Sequence, residues 1–129
     1  MALGFLTGKY TSTSDAPKGP RKSLYKKLLG TPDYENLLAT MKDVAAGHQG
    51  ATVPQVALNW TRAKGTIPIP GARNLRQVQS NYASLDWTMS QDEVRALDAS
   101  AARVKTFVQP GDTPFAKKDI NTGLVLFDS

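Results

Sequence analysis

Two arginines lie where a predicted helix begins, directly after a glycine. Residues 67–74 read IPIPGARN, an apolar run that leads through Gly71 to a helix start. Backbone amides at a helix N-terminus attract anions, and a glycine lets a ligand approach the backbone closely. Arg73 and Arg76 oppose the helix dipole there, at a cost of about 0.3 to 1 kcal/mol unless an anion offsets it. The pattern indicates a phosphate site, with two solvated arginines beside an ordinary turn as an equal alternative.

The composition of the chain limits the kinds of binding site and partner that we expect. The chain of 129 residues has no cysteine and one histidine, His48, which excludes thiolate sites and metal sites with several histidines. We expect His48 at the C-terminal end of a helix, where an imidazolium complements the dipole, and not in catalysis. The net charge of +5 comes without a nucleic-acid recognition motif, and no apolar run approaches the roughly 18 residues of a membrane span. We therefore expect no metal, no nucleic acid and no membrane partner.

Four helices and one short strand are expected to position the arginines. The periodicity of apolar residues and the capping residues predict helices from about 32 to 47, from Thr52 to about 64, from Asn74 onward and from Ser90 onward. The third helix has the apolar face Leu75, Val78 and Tyr82, and residues 66–70 form a β-compatible run with two prolines. A lone parallel strand needs neighbours on both sides, so the order of elements predicts a piece of a parallel α/β fold.

Two segments are predicted to lack regular structure. Residues 11–22 are polar and rich in proline, glycine and serine, which is typical of an exposed loop. The tail from residue 108 is loop-like, with a β-prone end at residues 124–127. We expect the basic cluster near the first loop to be a solvated loop face; its members are Lys18, Arg21, Lys22, Lys26 and Lys27.

Five segments, read in order, resemble the aldo-keto reductases. They are MALGFLTGKY at 1–10, QVALNW at 55–60, residues 67–73 with Gln77 and Asn81, LDW at 85–87, and residues 90–97. The resemblance covers residues 1–105 and leaves 106–129 as a C-terminal tail. It implies an α/β fold, namely the C-terminal fragment of a (β/α)8 TIM barrel that is predominantly helical in the part present. A whole barrel needs about 250 residues.

The resemblance implies NADPH as the cofactor. Residues 2–10 would follow barrel strand seven and lie along the pyrophosphate, with contacts from Ala2, Gly4 and Leu6. Residues 67–69 would be strand eight, followed by a site for the 2′-phosphate and adenine made by Gly71, Ala72, Arg73, Gln77 and Asn81. Arg73 would pair with the 2′-phosphate, while Ser80 departs from the acidic residue that many members carry before the asparagine.

The same resemblance implies that the catalytic residues lie outside this chain. The family passes hydride from nicotinamide to a carbonyl while a tyrosine, tuned by a lysine and aided by an aspartate and usually a histidine, donates the proton. All four come from earlier strands. Tyr10, Lys9 and His48 stand at other positions, so no catalytic residue is assigned and the chain alone is expected to be inactive.

Two functions stay open at this point. The chain is either the NADPH-binding part of an enzyme whose intact parent reduces a small aldehyde or ketone, or a non-catalytic nucleotide-binding or regulatory subunit that pairs with an unknown partner chain. Met1 falls inside the family's cofactor loop, so we expect that the sequence continues upstream. Cytoplasm is the expected compartment, and an organelle is the alternative.

Overall fold

Five helices and two short strands make up the structure, a computed structural model that describes residues 6–10, 22–105, 116–118 and 125–127. The helices are α1 (Lys22–Leu28), α2 (Pro32–Gly47), α3 (Val53–Ala63), α4 (Leu75–Ala83) and α5 (Gln91–Arg103). The strands β1 (Ala116–Lys118) and β2 (Val125–Phe127) pair antiparallel, with Ala116 opposite Phe127.

Local capping explains where α3 and α5 begin. Thr52 and Gln55 form the predicted capping box of α3, and Ser90 and Glu93 form that of α5. The chain enters α2 at Thr31 and Pro32 as expected, but the Thr31 hydroxyl donates to the carbonyl of Leu28 at 2.8 Å and does not cap the helix. These three starts lie within two residues of the predicted ones.

The core lies between α2, α3 and α5, with α1 against it. Met41, Val56 and Leu97 are fully buried, one from each of the three central helices. Each lies on the apolar stripe of its own helix, and the three stripes face a common interior. Leu6 and Tyr10 pack against the same cluster, so residues 6–10 are anchored to the core.

Helix α4 is not held by packing in the core, because none of its residues is buried. Its predicted apolar face is largely exposed: Leu75 and Tyr82 are each 71% exposed and Val78 is 51% exposed. Polar side chains of α3 hold it instead. Gln55 Nε2 donates to the carbonyl of Ser80 at 2.8 Å, and Asn59 Nδ2 donates to that of Ser84 at 2.7 Å.

The predicted strand at residues 66–70 does not form; residues 66–72 adopt neither helix nor strand. The side chains of Ile67 and Ile69 are 90% and 95% exposed. Within residues 22–105 no other strand exists to pair with this segment, and Pro68 and Pro70 have no N–H to offer one. A β-compatible sequence without a partner strand stays unpaired.

Helix α1 and strand β1 were not predicted. Lys22, Lys26 and Lys27 lie in α1, not in a loop, whereas Lys18 and Arg21 lie outside the described residues. The apolar side of α1 carries Tyr25, which is buried in the core at one helical turn from Leu29. Strand β2 lies within the β-prone run predicted at residues 124–127.

Candidate functional site

A cleft of about 500 Å³ brings the two predicted cofactor segments together. One wall comes from the loop before α1, and the other from the turn before α4 and the first turn of that helix. The lining residues are Thr7, Lys9, Tyr10, Gly71, Ala72, Arg73 and Gln77. More than sixty positions of sequence separate the two walls, so only the tertiary fold makes this cleft.

Contacts with the core hold the first wall. The rings of Tyr10 and Tyr25 meet edge to face with their centroids 5.1 Å apart. The hydroxyl of Tyr34 donates to the carbonyl of Tyr10 at 3.5 Å, and burial, with a contribution from Tyr25, raises the pKa of Tyr34 to about 12. Gly8 adopts a φ of +67°, which places the loop against Val53. Tyr34 therefore stays protonated and serves as a structural anchor.

Hydrogen bonds at the start of α4 shape the second wall. The Asn74 side chain caps the helix by accepting from the N–H of Gln77 at 2.9 Å, as predicted. The reciprocal half of the expected capping box does not form. Gln77 Oε1 instead accepts from the N–H of Arg73 at 2.6 Å, one residue before the N-cap.

The charge of the cleft suits an anion. Lys9 and Arg73 line it, and none of its lining residues is acidic. Within the described part of the chain the guanidinium of Arg73 makes no hydrogen bond or ion pair, while the ammonium of Lys9 lies 5.5 Å from the centroid of the Tyr10 ring. At Gly71 an added Cβ would meet no atom within 4 Å, so the backbone is open to a ligand. These features fit a phosphate group better than a cation or an apolar ligand.

The structure brings together four of the predicted site residues and separates two others. Gly71, Ala72, Arg73 and Gln77 share the charged cleft. Asn81 lines a neighbouring apolar cleft of about 330 Å³, which also contains Ala72. Leu6 is half-buried and packs against the core cluster. Ala2 and Gly4 lie outside the described residues.

Sequence reasoning missed all three residues of the first wall, Thr7, Lys9 and Tyr10. The N–H of Lys9 donates to Thr7 Oγ1 at 3.3 Å, a short-range contact typical of a polar turn. A Thr-Gly-Lys run inside an otherwise apolar segment was the available indication. The supporting role of Gln55 and Asn59 under α4 was missed as well, because it depends on contacts between helices.

Replacing Asn59 by alanine is expected to loosen α4. Asn59 is 3% exposed, and its loss leaves the carbonyl of Ser84 with only the 3.2 Å bond from Arg62. Leaving buried polar groups unsatisfied costs about 1 to 3 kcal/mol. Hydrogen exchange should accelerate at α4 amides more than at those of α5. The control is Asn36→Ala, an exposed site with a long bond to Ser100, and equal protection of α4 in both variants would contradict this account.

A third cavity, of about 560 Å³, lies at the C-terminal end of α2 beside His48 and Trp87. His48 occupies the C-cap position, which confirms the predicted place, and its ring stacks on that of Trp87 with centroids 4.2 Å apart. Its Nε2 lies 2.7 Å from Glu93 Oε1. Partial burial opposes the charge of Glu93, but hydrogen bonds from Ser90 and His48 outweigh it and lower the pKa of Glu93. This group of contacts ties α2 to α5.

Glu93→Gln is expected to flatten the acid limb of the stability profile. A carboxyl with a lowered folded pKa stabilises the protein fully above its unfolded value, near 4.5, and this contribution is lost as the pH falls through the folded value. Glutamine still allows a capping box, so the helix start is preserved. Urea unfolding between pH 7 and pH 3 measures the difference, with exposed Glu35→Gln as the control. Equal loss below pH 4.5 in wild type and Glu93→Gln would contradict the assignment.

The described residues offer neither a metal site nor a membrane-spanning helix. They contain no group of three histidine, cysteine or acidic residues placed to hold a metal ion. None of their helices is long and apolar enough to cross a membrane. The charged cleft is therefore the best-supported candidate site in this part of the chain.

A basic cleft at a helix start is a common design of phosphate-binding sites. The chain is a member of the aldo/keto reductase family, whose model matches residues 1–102, and this confirms the resemblance seen in the sequence. The family implies a (β/α)8 barrel, and the largely helical structure of the described residues is consistent with a partial chain of that fold.

Three relatives illustrate the match. The chain is 44% identical over 101 residues to the chloroplastic pyridoxal reductase of Arabidopsis thaliana, covering 78% of this chain and 27% of that protein. It is 31% identical over 100 residues to the NADP(+) aldo-keto reductase yakc of Schizosaccharomyces pombe, covering 75% and 29%. It is 29% identical over 133 residues to the aldo-keto reductase str7 of Strobilurus tenacellus, covering 100% and 37%. The chain thus spans 27% to 37% of the length of these relatives.

Proposed function

We propose that this chain forms part of the NADPH site of an aldo-keto reductase whose intact form reduces an aldehyde or ketone. The observation that carries the proposal is the charged cleft, which Lys9 and Arg73 line from two distant segments and which has no acidic lining residue. Family membership and an NADP(+) relative support the choice of cofactor.

Different residues bind different parts of the cofactor. Arg73 pairs with the 2′-phosphate, which distinguishes NADPH from NADH, and Lys9 adds a second positive charge. Gly71 leaves the backbone open to the ligand, and Ala72 lines the cleft beside it. Ala2, Gly4 and Leu6 are proposed for the pyrophosphate side, and Asn81 for the adenine side. The bound cofactor would supply hydride to the carbonyl carbon of the substrate.

Catalysis itself is assigned to residues outside this chain. The family's aspartate, tyrosine, lysine and histidine have no counterpart at matching positions here, so residues 1–129 alone are expected to show no reductase turnover. The pyridoxal reductase relative makes pyridoxal a reasonable first substrate for the complete protein. Its chloroplastic name also makes an organelle a candidate compartment beside the cytoplasm.

The proposal is tested by titrating the full chain with NADPH and with NADH in a calorimeter. We expect saturable binding of NADPH that is clearly tighter than that of NADH and that weakens as salt increases, because phosphate contacts with cations are screened. Equal affinity for the two cofactors in a folded chain would contradict the role of the cleft.

A second candidate is a non-catalytic nucleotide-binding or regulatory subunit. The observation that favours it is the exposed apolar surface around α4, which a partner polypeptide would cover; its members are Ile67, Ile69, Leu75, Val78, Tyr82 and Leu85. Stable co-purification with a larger, separately encoded chain would support this function. A chain that sediments alone as a monomer would argue against it.

A further inference from the structure

Gln77 bonds back to the turn that precedes its own helix. Its Oε1 accepts from the N–H of Arg73 at 2.6 Å, while its own N–H donates to Asn74 Oδ1 at 2.9 Å. In the capping boxes of α3 and α5, the residue at the equivalent helical position returns to the N-cap amide. Gln77 skips that amide and closes the turn around Arg73. Its side chain therefore acts on the residue proposed to bind phosphate.

This bond is an isolated tether. Residues 71–79 are all exposed, and within the described part of the chain residues 67–73 make no other hydrogen bond. Pro68 and Pro70 line the apolar cleft together with residues of α3 and α4, but they cannot donate from the backbone. The position of the Arg73 backbone relative to α4 thus depends strongly on one side chain.

We propose that Gln77 is a positioning residue that holds Arg73 at the mouth of the charged cleft and sets the preference for a 2′-phosphorylated cofactor through Arg73. The inference rests on the proposed function and assigns Gln77 a role other than direct contact with adenine. The physical reason is preorganisation: the ordering cost of the turn is met when the chain folds and not when the cofactor binds.

Two roles of Gln77 predict different patterns of cofactor discrimination. A residue that acts through Arg73 affects NADPH, which carries the 2′-phosphate, and has little effect on NADH. A residue that contacts adenine affects both cofactors alike, because adenine is common to them. A double-mutant cycle with Arg73 separates these cases.

The first measurement is cofactor affinity of the full chain by calorimetry. Gln77→Met keeps the side-chain length and removes the acceptor, and we expect it to weaken NADPH binding about fivefold, as for loss of one hydrogen bond. NADH affinity should change less than twofold, and the effect on NADPH should disappear in the Arg73→Ala background. Gln79→Met, an exposed site on the same helix outside both clefts, is the matched control.

The second measurement is hydrogen exchange of the Arg73 amide, which needs no cofactor. We expect protection in the wild type, loss of protection in Gln77→Met, and retention in Gln77→Glu, which keeps an acceptor oxygen. An unprotected wild-type amide, or equal weakening of both cofactors by Gln77→Met, would overturn the inference. A wild-type chain that binds NADPH no better than NADH would overturn the proposed function, and this inference with it. If the Arg73 amide were nevertheless protected in that chain, its hydrogen bond to Gln77 would exist and only the phosphate site would be wrong.

Discussion

Leu97→Ala is expected to lower the free energy of unfolding by about 2 to 5 kcal/mol, the largest change in stability that we foresee. Leu97 is fully buried in the cluster that joins α5 to α2 and α3. Alanine removes three carbon atoms and leaves a cavity that rigid helix contacts cannot fill. Small domains are stable by only about 5 to 15 kcal/mol, so the variant would approach the limit of folding.

Urea unfolding followed by circular dichroism measures this loss. Arg95→Ala is the matched control, because Arg95 is exposed on the same helix, where a substitution changes stability by roughly 0.5 kcal/mol or less. A Leu97→Ala protein as stable as this control would show that α5 is not part of the core.

Arg73→Ala is expected to reduce the preference for NADPH over NADH by about 10- to 100-fold. Hydrogen bonds between a guanidinium and a phosphate are charge-assisted and contribute about 1.5 to 3 kcal/mol when they are well formed. NADH lacks the 2′-phosphate, so its affinity should be nearly unchanged. Arg73→Lys should fall between wild type and alanine, since lysine keeps the charge but loses the paired geometry.

Arg76→Ala is the control for this prediction. Arg76 is exposed and lies in the first turn of α4, but it does not line the charged cleft. We expect it to leave the cofactor preference within about twofold of the wild type, as for an exposed charge in water. If both arginine variants lost the preference equally, general positive charge and not the cleft would explain it.

The sequence predicted the elements that local chemistry determines. Thr52 and Ser90 predict the starts of α3 and α5, because a capping box is made of neighbouring residues. Helix α1 was missed because lysines dominate its sequence and its apolar residues are few. The burial of Tyr25 and Leu29 depends on distant helices. The strand at residues 66–70 was wrong because strand formation requires a partner that residues 22–105 do not contain.

The candidate site was predictable to a similar degree. The glycine, the arginine and the helix start are adjacent in sequence, so their chemistry was visible in residues 67–74. The bond between Gln77 and Arg73 was not, because a capping box was an equally good local solution. The presence of Lys9 and Arg73 in one cleft depends on the packing of Tyr10 against Tyr25, which no local pattern reveals.

Backbone amide chemical shifts of the isotope-labelled chain, recorded as NADPH is added, test the central claim most directly. The account predicts shifts in both walls of one cleft, at Thr7 and Lys9 and at residues 71–77, with little change near His48 and Trp87. Shifts confined to the cavity beside His48 and Trp87, or the same shifts with NADH at equal concentration, would contradict a 2′-phosphate site in the charged cleft.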